Sequence, residues 1–344
     1  MKKTNKSKIL IMIVILIILV LLSIAFGSVN ITIGDVCKIL LSKIPVIGKN
    51  IDINNINQTY LTIIFNIRLP RILLSTIVGM GLAVVGSVYQ GILKTNMADP
   101  YILGISSGAA LGATLSIILE KYTWGAGIYT TTILSFVMAI FTIVLVYMIS
   151  KGVKKSTILI LVGINISSFI SAIISLMMIL NRDQFDKIVL WTMGSFGTST
   201  WIKVIISSLI VIPLCIFITF FNKQINAISI SEDTAKSLGV DVKRVNKTLI
   251  IITSLIVATC VSMSGIIGFV GLMVPNIVRM MFGPNHKNVI IFSMIFGGIL
   301  MLLSDGIART IISPKELPVG IITAMLGAPY LVYLVISHNR KVQL

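Results

Sequence analysis

The chain has 344 residues, of which 56% are hydrophobic and 11% charged, with a mean hydropathy of +1.04. Those figures exclude a soluble globular domain and indicate an all-α polytopic membrane protein, a single transmembrane domain over residues 1–344 embedded in the lipid bilayer. A formal net charge of +17 would suggest nucleic acid as the partner of a soluble chain. Here lysine and arginine fall mainly between apolar runs, as orientation by cytoplasmic basic residues requires, so no nucleic acid is expected.

Cys37, Cys215 and Cys260 lie far apart, and His286 and His338 have no cysteine or carboxylate cluster around them. Neither a disulfide, a metal site nor another cofactor is expected.

Lys2, Lys3, Lys6 and Lys8 precede an uncharged run over residues 9–26. At about 1.5 Å per residue it is nearly long enough to cross the hydrocarbon, and it reads as span one, entering from the cytoplasm. Residues 27–58 form a mixed external loop with a short helix at 33–41. Span two follows over 62–93. Near its start, Arg68 and Arg71 flank Pro70, which suits the first turn of a helix. Positive charge there opposes the helix macrodipole by up to about 1 kcal/mol. The arginines therefore need a reward, either lipid headgroups or an acidic partner outside.

After a cytoplasmic turn at 94–100, span three covers 101–119 and carries Gly104, Gly108 and Gly112 at a spacing of four. Such a face lets two helix backbones approach closely in lipid. Span four covers 127–149, closed inside by Lys151, Lys154 and Lys155. Span five covers 157–180, and an external polar and aromatic stretch follows to Trp201. Span six covers 202–221.

Residues 222–247 form a charged cytoplasmic segment. Within it Ser229 and Glu232 have capping-box spacing, and Gly239 can stop a helix, which predicts a short helix over 230–238 ending at Leu238. A helix this short is marginal alone and needs something to dock on. Span seven covers 248–263. Gly265, Gly268, Gly271 and Pro275 then break an apolar stretch, a backbone tolerated at membrane depth only where protein or a water-filled cavity surrounds it. A short span eight ends near Phe282. Span nine covers 289–307 and delivers Arg309 outside, four residues after Asp305, and span ten covers 319–336.

This arrangement has ten spans and both termini in the cytoplasm. It puts sixteen lysines and arginines inside and eleven outside or at the outer boundary, as the positive-inside rule requires. No Gly-x-x-x-x-Gly-Lys-Ser/Thr loop occurs, so the chain is not expected to hydrolyse nucleotide itself. No pair of catalytic side chains converges in the spans, which argues against a membrane enzyme. An ion-coupled secondary transporter is a weaker reading, because its acids belong near the bilayer middle, whereas Asp99 and Asp305 sit at span ends.

The chain resembles the FecCD-type membrane permeases of bacterial ABC importers for iron–siderophore complexes, haem and cobalamin. The resemblance rests on Arg68-Leu-Pro-Arg71, Gln90 with Ala98-Asp-Pro100, residues 103–109, residues 237–240, residues 265–272, Glu316-Leu-Pro-Val-Gly320 and residues 327–329, in that order over nearly the whole chain. Two departures stand out. Lys94-Thr-Asn-Met97 replaces the usual Arg-Asn-Pro-Leu, and Asn276 replaces a histidine.

The resemblance implies the type II importer permease fold in the bacterial cytoplasmic membrane. It also implies a second permease protomer, two cytoplasmic ATPase subunits and an extracytoplasmic binding protein. On matching positions it implies that Arg68, Arg71 and Arg309 dock the binding protein and that residues 229–239, with Ser229, Glu232, Leu238 and Gly239, form the ATPase-coupling helix. Gly265, Gly268, Gly271 and Pro275 would lie near the translocation route. The implied cargo is an iron–siderophore complex, with haem or cobalamin as the alternative.

Overall fold

A computed structural model describes residues 3–25, 27, 31–42, 58–120, 127–150, 156–312 and 315–342. Most of the expected external loop, Lys121, and the basic group Lys151, Lys154 and Lys155 lie outside the described residues. Among the described residues every regular element is a helix. The first group comprises α1 (Lys3–Ala25), α2 (Ile33–Ser42), α3 (Gln58–Thr62), a π-helical turn (Ile63–Arg68) and α4 (Leu69–Ile92). There follow α5 (Ile105–Leu119), α6 (Ile128–Ser150), α7 (Ser156–Leu180), α8 (Phe185–Thr192) and α9 (Trp201–Thr219). The last group comprises α10 (Asn222–Ile230), α11 (Glu232–Ser237), α12 (Val242–Ser264), α13 (Val270–Phe282), α14 (His286–Thr310) and α15 (Val319–Val342).

Eight helical stretches among the described residues are long and apolar enough to cross a membrane, and α5 and α13 are shorter apolar helices. At about 1.5 Å per residue these two fall short of a hydrocarbon layer about 30 Å thick. The third and eighth expected spans are thus helical over only part of their length, and the remainder is the irregular backbone that precedes each.

The helix expected to begin at Pro70 does not begin there. Helical backbone runs unbroken from Gln58 to Ile92, and Pro70 is accommodated because the preceding turn widens: the Leu69 N–H reaches back to the Ile64 carbonyl, five residues away. Arg68 and Arg71 therefore lie inside a continuous helix, and the penalty expected from a free helix start does not arise.

The centre of the bundle is α4, buried along nearly its whole length against α9, α12, α13 and α14. Lipid tails are as apolar as leucine, so close packing rather than water exclusion must hold these helices together. Glycine supplies it. A Cβ on Gly79 would sit 2.2 Å from the Gly297 carbonyl oxygen of α14, and one on Gly297 would sit 2.3 Å from the Gly79 oxygen. By contrast α1, α7 and α15 bury few of their residues within the chain, as lipid- or partner-facing helices do.

The two ends of the bundle differ. One, the arginine end, gathers the C-terminus of α1, the π-turn, α8 and the C-terminus of α14. The other carries α10 and α11, where Asn226 accepts a hydrogen bond from the His286 N–H that opens α14 (2.9 Å).

Candidate functional site

At the arginine end α4 and α14 bring together charges 234 residues apart. The Arg71 Nε donates to both Asp305 carboxylate oxygens, at 3.0 and 3.1 Å, and its Nη1 donates to Glu316 Oε2 at 2.7 Å. Arg309 contacts the other side of Asp305 at 3.3 Å and donates through Nη2 to the Ser23 hydroxyl at 2.7 Å. Arg68 Nη1 donates to the Ile24 and Ala25 carbonyls, the last of α1, where a cation also suits the helix dipole.

All three arginines are buried, and Asp305 is 0% exposed. This corrects the expectation that their reward lies outside the chain. Asp305 and Glu316 supply it for Arg71, and carbonyls of α1 supply it for Arg68. The i,i+4 pair of Asp305 with Arg309 is present, but as one arm of a larger network. Three guanidiniums against two carboxylates leave this cluster positive.

Gly108 and Gly112 seat α5 on α6: a Cβ on either would fall 2.7 Å from the Met138 oxygen or 2.3 Å from the Leu134 oxygen. Gly104 does different work. It has φ +79°, left-handed, and forms the turn that starts α5 rather than continuing the glycine face.

The break between α12 and α13 occupies 265–269 and is held by the turn that links α4 to α5. The Tyr101 hydroxyl donates to the Ile267 carbonyl at 2.7 Å and accepts from the Ile267 N–H at 3.1 Å, so both polar groups of that residue are satisfied by one side chain. Asp99 accepts from the Tyr101 N–H at 2.9 Å and from the Phe269 N–H. Gly265 has φ +73°, and Phe269 takes φ +69°, a conformation a bulky residue adopts only when its surroundings impose it.

Gln90 ties the end of α4 to the start of α13 through the Gly271 and Leu272 carbonyls, at 3.3 and 3.1 Å. Gly271 is needed because a Cβ there would meet Pro100 at 2.3 Å, and Pro275 lies inside α13. Gly268 has open space around it.

The two departures from the family pattern meet each other. Asn276 Nδ2 donates to the Asn96 carbonyl at 2.8 Å, and Arg279 Nη1 donates to Asn276 Oδ1 at 2.9 Å. One amide side chain thus links α13 to the altered turn.

Beside the break lie two cavities. One, of about 770 Å³, lies between α5, α7 and α13 and is lined by Asp99, Tyr101, Ser107, Ser167, Ser168 and Ser171. The other, of about 420 Å³, lies toward the arginine end and is lined in part by Trp191, Thr198, Lys203, Ser262, Ser264 and Glu316. Tyr101, Glu316 and Lys203 were not singled out from sequence as functional. Glu316 and Tyr101 fall within or beside the matched motifs, whereas Lys203 is one lysine at a span boundary.

At the opposite end the charged segment forms two short helices instead of one. Ser231, extended at φ −159° and ψ 156°, breaks the chain between α10 and α11, and its hydroxyl accepts from the Thr234 N–H at 2.9 Å. The cap is therefore Ser231 and not Ser229, which lies inside α10 with its hydroxyl on the Asn226 carbonyl. Glu232 opens α11, favourable against the dipole.

Gly239 ends α11 at φ +77°, with its N–H on the Lys236 carbonyl and the Val240 N–H on the Ala235 carbonyl, both at 2.9 Å, a Schellman stop. Ala235 docks on Ala227, Ile228 and Val242, so the short helix rests on its own chain. Ile230 and Leu238 remain 74% and 68% exposed.

A model of the FecCD transport family matches residues 15–337. The chain is 36% identical to the uncharacterized ABC transporter permease protein YvrB of Bacillus subtilis, covering 93% of each chain. It is 33% identical to the hemin transport system permease protein HmuU of Yersinia pestis, covering 80% of this chain and 84% of that one. Other relatives are named for molybdate, cobalamin and iron(3+)-hydroxamate import. A solved structure of a metal-chelate type ABC transporter in an inward-facing conformation superposes with a TM-score of 0.83 at 31% identity, over 96% of this chain and 99% of that one. With the long apolar helices, the broken α12–α13 backbone and the capped α11 all in place, the chain belongs to the FecCD transport family and is a membrane permease of an ABC importer.

Proposed function

We propose that this permease carries an iron–siderophore-type metal chelate, with both termini in the cytoplasm and the arginine end outside. The observation that carries the cargo class is the cavity of about 770 Å³ beside the 265–269 break, whose mostly apolar wall carries Ser107, Ser167, Ser168 and Ser171. An apolar wall with scattered hydroxyls gives a bulky chelate weak contacts, so it passes without being trapped. Iron and metal-chelate relatives support the same reading.

The binding protein docks on the arginine end. Arg68, Arg71 and Arg309 act there as a buried positive floor that attracts an acidic face, since each already has partners within the chain. At the other end α11, bounded by Glu232 and Gly239, couples this protomer to the ATPase subunits, with the exposed Ile230 and Leu238 flanking it as the docking surface. A second protomer faces α7 and α15 and completes the route. Closure of the ATPases moves α11, and the helices rock between two packed arrangements.

The test is ATP-dependent uptake into proteoliposomes holding the whole complex and its binding protein, across ferric siderophores, haem, cobalamin and molybdate. Saturable uptake of ferric siderophores alone supports the assignment. Preference for haem, cobalamin or molybdate overturns it. Topology is checked in intact cells: an engineered thiol at Ser156 should resist an impermeant reagent that modifies one at Asn55, and the reverse pattern inverts the drawing.

A further inference from the structure

We propose that Lys203 forms an anion subsite in the cavity at the arginine end, receiving a negatively charged oxygen of the incoming metal chelate. Lys203 occupies the third position of α9, whose N-cap is Thr200. A cation in the first turn opposes the helix dipole. It is also only 4% exposed, and a buried ammonium without a counter-charge is among the costliest groups a protein can hold.

Among the described residues its hydrogen-bond partners are the Thr198 hydroxyl at 3.1 Å and the Met263 carbonyl at 3.5 Å, and no carboxylate pairs with it. The acid that shares its cavity, Glu316, is committed to Arg71 at 2.7 Å. The other lysine on the wall, Lys187, pairs with Glu120 at 3.6 Å and both are largely exposed. Among the described residues Lys203 is thus a buried cation on the cavity wall with no carboxylate paired to it.

The cavity has the size and chemistry to take an anionic group. Its volume of about 420 Å³ falls in the range of small-molecule sites. The hydroxyls of Ser262 and Ser264 donate to the Thr259 and Cys260 carbonyls of their own helix, which orients them without using their acceptor lone pairs. Lys203 therefore supplies the charge that selects an anion. The cargo class narrows accordingly, from metal chelates in general to those presenting carboxylate or catecholate oxygens.

This inference rests on the importer reading, but its test needs neither ATP nor transport. The permease–ATPase complex, without binding protein, is placed in nanodiscs with 5-fluorotryptophan, and the ¹⁹F signal of Trp191, a cavity-lining residue, is assigned by Trp191→Phe. Gallium citrate, an anionic chelate, is titrated against cationic gallium desferrioxamine B, and against chloride. A saturable shift with gallium citrate alone is expected, weakened at least tenfold in Lys203→Met and less than threefold in Lys203→Arg.

Equal responses to the two chelates in the unaltered complex, a comparison that needs no variant, would overturn the proposal. So would an unchanged titration in Lys203→Met, or saturation by chloride alone, which would make this a simple ion site. Failure of the importer reading appears separately, as absent ATP-dependent uptake by a complex that still binds gallium citrate.

Discussion

Asp305→Ala tests whether the arginine network braces the bundle. The carboxylate is wholly buried, holds Arg71 through Nε at 3.0 and 3.1 Å and through Nη2 at 3.0 Å, and lies 3.3 Å from Arg309. Breaking a buried pair by removing one partner costs about 3–5 kcal/mol, because the other charge is left uncompensated. Two features lower the figure here: Glu316 still neutralises Arg71 at 2.7 Å, and the Ser23 hydroxyl still accepts from Arg309. The expected loss is therefore at the bottom of the range, about 3 kcal/mol.

Removing Arg309 as well, in Asp305→Ala/Arg309→Met, should restore part of the loss, with a coupling of about 0.5–3 kcal/mol. The assay is SDS-induced unfolding of the purified permease in mixed micelles, followed by helical circular dichroism. If Asp305→Ala costs less than about 0.5 kcal/mol, the size of an ordinary surface substitution, and shows no coupling to Arg309, the network is not a brace. The arginines would then be held chiefly for an external partner.

Other outcomes follow from local geometry. Ser231→Ala should lose the α11 cap, worth about 1 kcal/mol, and speed hydrogen exchange at the Thr234 amide, while Ser229→Ala should leave that amide unchanged. Gly86→Ala would place a Cβ 1.8 Å from the Gly271 carbonyl oxygen. It should separate α4 from α13 at a cost of about 1–3 kcal/mol or more, whereas Gly268→Ala, with open space around it, should be near neutral; both are read by the same unfolding assay. Tyr101→Phe removes the partner of both Ile267 backbone groups and should cost about 1–3 kcal/mol, seen as a lowered unfolding midpoint.

Much of this protein could be read without coordinates because the relevant physics is local. The length of an apolar run decides whether a helix can span the hydrocarbon, so the long helices were legible, and so was the short helix at 33–41. Gly239 was legible as a stop because a left-handed φ is a property of one residue. The ordered motifs carried the family.

Where expectation and structure differ, a distant contact or a neighbouring backbone decided. Ser229 and Ser231 both precede a helical pattern, and only the break after α10 selects Ser231 as the cap. Pro70 reads as a helix start, and only the π-turn before it lets the helix run through. Gly104 shares its spacing with Gly108 and Gly112, yet tertiary structure uses it as a turn.

Arg71 meets Asp305 across 234 residues, Tyr101 satisfies Ile267 across 166, and Asn276 meets Asn96 across 180. No periodicity encodes such pairs. They form because close glycine packing brings α4, α13 and α14 within hydrogen-bond reach, and a buried polar group must take whatever partner the packing puts there. For the same reason the position of Lys203 in the chain revealed only a span boundary, while its burial on a cavity wall, with no carboxylate paired to it among the described residues, emerged from the fold.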